Sequence, residues 1–188
     1  MIRTATKKDI PAYAYLLMTI FKDMELPLLQ TWGEAAVFQY LCQACTKEGY
    51  RYFYQRVRLL EEEGKIIGVA VGYPATEEKD IDQGWAKVLE EEKIPFEPLF
   101  WESECEGEDW YIDSVSVDTA WRGKGIGTRL LEDQIEVARE KGYATVALNV
   151  DFQNPRARKL YETIGFICHK EKEISNHPYA YMHFYTED

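Results

Sequence analysis

The stretch W-R-G-K-G-I-G-T-R-L-L-E-D-Q, Trp121 to Gln134, alternates three glycines with basic or small residues and then turns helical at once. Glycine reaches backbone angles closed to other residues and lets a ligand approach the main chain. A helix start carries amide N–H groups without internal partners, at the positive end of the helix dipole. Together they make an anion site suited to phosphate, and Arg122 and Lys124 add positive charge. A plain loop before a helix has the same look, so the stretch by itself leaves both readings open.

The flanking pattern restricts the fold. Trp110 to Val117 (W-Y-I-D-S-V-S-V) reads as a strand entering the loop, and the helix beyond it runs to about Lys141, with Gly142 at its end. Tyr143 to Val150 is another strand, then Asn154-Pro155 opens a second helix that Gly165 ends; Asn caps well and Pro suits a first turn. Phe166–Ile174 and Tyr179–Tyr185 form a last strand pair around Asn176-His177-Pro178.

Upstream, Ile2–Ala5 is a short strand. Thr6 to Asp9 is a capping-box-like start for a helix with Ile10, Tyr13, Leu16, Leu17 and Ile20 on one face. Leu26-Pro27-Leu28 breaks it, and Thr31–Glu48 is a second helix stopped by Gly49. Tyr52–Glu62, with Phe53, Val57 and Leu59 on one face, and Lys65–Tyr73 make a hairpin around Glu63-Gly64. Ala86–Glu92 is a short helix. The order β-α-α-β-β-β-α-β-α-β-β predicts one α/β domain over residues 1–188, a mixed, mostly antiparallel sheet of about six to seven strands flanked by helices.

The 188 residues suffice for one core, and 46% hydrophobic residues fit a globular chain. No apolar run suits a membrane span, and the N-terminus lacks a signal-peptide core, so a cytoplasmic protein is expected. The net charge of −11 argues against nucleic acid. Thirteen acidic residues between Thr76 and Asp109, against Lys79, Lys87 and Lys93, give that insertion a charge of −10. It reads as a solvated loop or as a rim that attracts a cationic molecule. Cys42, Cys45, Cys105 and Cys168 offer no paired set for zinc; buried thiols and no metal are expected.

Neither G-x-x-x-x-G-K-[ST] nor G-x-G-x-x-G occurs. The chain resembles instead the GNAT superfamily of N-acetyltransferases. Arg122, Gly125 and Gly127 fill that family's R/Q-x-x-G-x-G/A loop, V-S-V-D precedes it, and Asn154, Ala157, Leu160, Tyr161, Gly165 and Phe166 fill its N-x-x-A-x-x-L-Y-x-x-x-G-F block. The resemblance is strongest from Trp110 to Phe166.

It implies acetyl-CoA as cosubstrate and direct acetyl transfer to a primary amine of a small molecule, peptide or protein. The pyrophosphate would rest on the N–H groups of Arg122, Gly123, Lys124, Gly125, Ile126, Gly127 and Thr128. The pantetheine arm would pair with the main chain of Val115, Ser116 and Val117, where the strand splays from its neighbour, and Asn154 would reach it as well as capping its helix. Tyr161 would protonate the leaving thiolate or serve as a packed aromatic. In strict alternation Tyr111, Asp113, Val115 and Val117 share one face. Asp113 is then a candidate base or a hydrogen-bonded structural residue. The acceptor would lie near Phe21–Trp32 and Asn176–Tyr181, where His177 and His183 would either touch it or be solvent-facing or packed residues. The acidic excess suggests a cationic acceptor, and Tyr179, Tyr181 and Tyr185 could form a homodimer surface or a core face. The alternative function is a non-catalytic acyl-CoA-binding sensor.

Overall fold

In the computed structural model, which describes residues 1–187, seven strands form one sheet in the order β1-β2-β3-β4-β5-β7-β6. The strands are β1 Ile2–Thr4, β2 Val57–Glu62, β3 Lys65–Pro74, β4 Trp110–Val117, β5 Thr145–Asp151, β6 Ile167–Ile174 and β7 His177–Tyr185. The helices are α1 Ile10–Asp23, α2 Pro27–Trp32, α3 Glu34–Ala44, α4 Gln83–Glu91, α5 Ile126–Glu140 and α6 Pro155–Ile164. None is long and apolar enough to cross a membrane.

The sheet has two antiparallel halves, β1 to β4 and β5-β7-β6. They join only through a short parallel contact, Trp110 with Val146 and Tyr111 with Ala147. Beyond it β4 and β5 part. One face carries α1 to α4, whose core side chains include Tyr13, Leu17, Phe21 and Trp85 and meet Val57, Leu59, Val69 and Val71. The other carries α5 and α6, with Leu130 and Leu131 buried against the strands.

Three local features depart from the sequence reading, and the tyrosines of the last strand divide between its two alternatives. The helix expected over Thr31–Glu48 is two helices, because Gly33 at φ 82° ends α2 and starts α3, and Pro27 opens α2. The strand expected from Tyr52 begins at Val57: Tyr54–Arg56 is a 3-10 turn, so Phe53 lies outside the strand while Val57 and Leu59 do share a face. The last hairpin turns at Ser175-Asn176, both at positive φ (51° and 63°), and His177 and Pro178 already belong to β7. Tyr181 is core at 1% exposure, while Tyr185 is exposed.

The acidic insertion is not a solvated loop throughout. α4 buries Trp85, Val88 and Leu89 in the main core. Ala75, Ile81 and Cys105 pack over Tyr73, Tyr111, Ala147 and Tyr181, covering β3, β4, β5 and β7 where the two half-sheets join.

Candidate functional site

The fourth strand carries a bulge. Val71 pairs with Ser114 and Gly72 with Ile112, so Asp113 is an extra residue without a partner on β3. The bulge inverts the alternation. Tyr111 and Asp113 face the α1–α4 side, and so do Ser114 and Ser116 after the bulge, opposite Val71 and Val69. Trp110, Ile112, Val115 and Val117 face α5. Val115 and Val117 therefore do not share the face of Asp113, as strict alternation required. A signal was present: the apolar positions 110, 112, 115 and 117 change phase between Ile112 and Val115.

From Ser114 to Val117 the main chain of β4 pairs with β3 on one side only. Its other edge faces the gap left by β5. An open backbone edge is what an extended amide chain can pair with.

At the end of this edge, Asp118 Oδ1 accepts from Ala120 N at 2.9 Å and turns the chain. Gly123 and Gly125 follow at φ 79° and 76°, and a Cβ at either would meet nothing within 4 Å. The left-handed backbone demands glycine there and leaves open space above it. Gly125 caps α5, whose first N–H groups point free, and its carbonyl accepts from Arg129 N at 3.1 Å. Ile126 anchors the start of the helix in the core at 4% exposure. Arg122 Nε donates to Val117 O at 3.3 Å, and Lys124 Nζ sits 4.3 Å from the Trp121 ring centroid. Gly127 differs from the other two: its φ is not positive, and a Cβ would touch Leu160 at an ordinary 3.6 Å.

Asn154 caps α6, accepting from Ala157 N at 3.1 Å. The aromatic ring of Tyr161, half-buried, packs 6.0 Å from Phe166. Burial alone pushes its hydroxyl up to about 12, so it holds its proton at neutral pH.

Beneath the bulge lies a buried polar cluster that the sequence reading did not assemble. Arg51, from the turn before β2, is 3% exposed. It grips Asp82 through Nε and Nη2, both at 2.9 Å. Its Nη1 donates to Asp113 Oδ2 at 2.7 Å and reaches Glu104 Oε2 at 3.3 Å. Asp113 also accepts from Tyr52 OH and Tyr73 OH, each at 2.9 Å, and from Ser114 Oγ at 2.7 Å. With four donors and 2% side-chain exposure, Asp113 has the surroundings of the structural alternative rather than those of a free base.

Glu104 stands beside it. Asn149 Nδ2 on β5 donates to the Glu104 carbonyl at 2.7 Å and to Tyr111 OH at 3.0 Å. Burial and then the charge of Asp113 raise the Glu104 carboxyl to about 8, with Arg51 opposing. In sequence, Glu104 is one acid in a run of thirteen; the neighbouring Cys105 and the Y-R-Y of Tyr50 to Tyr52 were the available hints of burial.

The segments expected to border an acceptor meet this cluster. Phe21 lies 6.0 Å from Phe100, whose ring is 4.3 Å from the Arg51 guanidinium carbon. Tyr179 on β7 is half-buried, and the charges of Asp151 and Glu104, after burial itself, push its hydroxyl upward. His183 is packed, stacked at 4.2 Å on His169, with Asp109 at 3.2 Å. Burial lowers its pKa against the pull of Asp109. His177 is exposed, 3.7 Å from Asp151.

The Acetyltransferase (GNAT) family profile matches residues 17–166. A solved acetyltransferase structure is 43% identical and superposes with a TM-score of 0.90 over 100% of both chains. An N-acetyltransferase from Staphylococcus aureus Mu50 is 28% identical, with a TM-score of 0.85 over 98% of this chain and 100% of that one. An uncharacterized N-acetyltransferase of Methanocaldococcus jannaschii is 27% identical over 132 residues, 68% of this chain and 48% of that protein. This chain spans about half or less of the length of the curated relatives it matches.

Proposed function

Because this chain belongs to the acetyltransferase (GNAT) family, we propose that it moves the acetyl group of acetyl-CoA directly to a primary amine of a small molecule, peptide or protein. One observation carries the reading. An open strand edge, Ser114 to Val117, leads into a glycine turn with free space and free helix N–H groups at its end. That arrangement suits a molecule with an amide arm and a pyrophosphate.

In this reading the N–H groups from Arg122 to Thr128 hold the pyrophosphate. Val115 to Val117 pair with the pantetheine amides. Asn154 keeps its cap through Oδ1 and offers Nδ2 to the same arm. The amine nitrogen attacks the thioester carbonyl, and the departing sulfur takes its proton from Tyr161, whose raised pKa keeps that proton available. Asp113 holds the bulge in place. A cationic acceptor is favoured, since one guanidinium, that of Arg51, faces the three carboxylates of Asp82, Glu104 and Asp113.

The test is calorimetry with acetyl-CoA alongside CoA thiol release with spermidine, kanamycin, lysine and an alanine-initiated peptide. Binding together with release is the expected result. Absence of acetyl-CoA binding ends the reading. Binding without release from any amine supports the non-catalytic sensor, for which the relatives, named as acetyltransferases, offer no support.

A further inference from the structure

We propose that Glu104, from the acidic insertion, is the residue that takes the proton from the incoming ammonium. The inference rests on the acetyl-transfer reading above.

Position comes first. Paired contact between β4 and β5 ends at Tyr111 and Ala147, and the next same-face residues are Asp113 and Asn149. Glu104 meets both walls of the fork there: its carboxylate shares Arg51 Nη1 with Asp113, and its carbonyl accepts from Asn149 Nδ2. Asn149 Oδ1 is buried and accepts no hydrogen bond among the described residues. A buried, unused acceptor on the side chain that holds the Glu104 main chain suits a ligand that brings N–H donors.

Charge comes second. Asp82 takes two hydrogen bonds from Arg51, and Asp113 takes four from its neighbours. Glu104 has one long contact to a nitrogen already given to Asp113, and its side chain is 10% exposed against 2% for Asp113. Of these carboxylates it is the one held least firmly that still lies at the fork.

The groups facing it come from several elements. Arg51 favours its charge; Asp113 on β4 and Glu78 after β3 oppose it. Tyr73, Tyr111 and Tyr179 look at it from β3, β4 and β7, Cys105 adjoins it in the chain, and Lys172 on β6 donates to its carbonyl at 2.9 Å. The resulting rise to about 8 brings its titration near neutral pH, where a base for an ammonium works best.

The step balances. One ammonium N–H bond breaks and an O–H bond forms on Glu104. The freed lone pair makes the N–C bond as C–S breaks, and Tyr161 gives its proton to sulfur. The new amide nitrogen sheds its second proton, which restores Tyr161, and Glu104 returns its own to solvent.

The experiment measures CoA release against pH for the wild type, Glu104→Gln and Glu104→Asp, using whichever of the four panel amines releases CoA, with acetyl-CoA affinity and Tm determined for each. We expect kcat to fall about 100-fold in Glu104→Gln, with partial recovery in Glu104→Asp. The acidic limb of the kcat/KM profile should vanish in Glu104→Gln while acetyl-CoA affinity stays unchanged. Wild-type release with an unaltered profile in a folded Glu104→Gln overturns this inference alone, and so does equal loss of acetyl-CoA binding and rate. No release by the wild type overturns it together with the reading beneath it.

Discussion

The Arg51 guanidinium donates to Asp113 Oδ2 at 2.7 Å across 62 residues of chain, tying the turn before β2 to the bulge in β4. Both side chains are almost wholly buried, at 3% and 2% exposure. Removing one partner leaves a carboxylate charged in a poorly solvated place. Arg51→Met should therefore cost about 3–5 kcal/mol in denaturant unfolding, far more than a surface ion pair. The double variant Arg51→Met/Asp113→Asn should recover part of that loss, because the most buried of the three carboxylates left behind no longer carries a charge. A single-variant cost below about 1 kcal/mol would mean that water reaches the pair.

Glu104 gives the fold a pH dependence of its own. Its ordinary value is 4.5 and its folded value about 8. Well below 4.5 the group is protonated in both folded and unfolded chains. Between those values the unfolded chain releases the proton and the folded chain keeps it, so stability falls as pH rises; above about 8 the loss is complete. Urea unfolding should show the stability of Glu104→Gln gaining on the wild type from about pH 5 to pH 8 and running parallel above it. A difference independent of pH would place the Glu104 titration back in the ordinary carboxylate range.

The elements were legible where a period ran unbroken. α1 carries apolar residues at helical spacing, and the Thr6–Asp9 box caps the 3-10 turn Lys7–Asp9 that leads into it, with Thr6 N donating to Asp9 Oδ2 at 2.7 Å. The glycine turn, Asn154 and Tyr161 stand on one continuous segment, so local pattern sufficed to name them as candidates. The bulge at Asp113 escaped because strict alternation was imposed across a phase change. The polar cluster escaped for another reason. Arg51, Asp82, Glu104 and Asp113 come from four separate stretches, and only the folded sheet brings them together.

The glycines of the turn should separate by conformation. Gly125→Val forces a branched side chain into φ 76° and fills the open space above the turn. Calorimetry should show acetyl-CoA binding lost, along with about 1–3 kcal/mol of stability from the strained backbone. Gly127→Ala needs no unusual φ and meets Leu160 at 3.6 Å, so it should keep both stability and affinity. Equal loss in the two variants would show that space, not backbone angle, governs the turn.

Tyr161→Phe removes one oxygen and leaves the ring against Phe166. The packing that supports α6 therefore stays, and melting temperature and acetyl-CoA affinity should be unchanged. A hydroxyl pushed to about 12 by burial has its proton throughout the neutral range, so it can act as an acid without titrating there. The loss in kcat, about 100-fold, should then be nearly constant from about pH 6 to pH 9. That flat loss differs from the one expected at Glu104, which should reshape the acidic limb. The two variants thus divide proton donation from proton acceptance in steady-state profiles with one amine. An unaltered kcat in Tyr161→Phe would remove the hydroxyl from the reaction and leave the thiolate to be protonated by solvent.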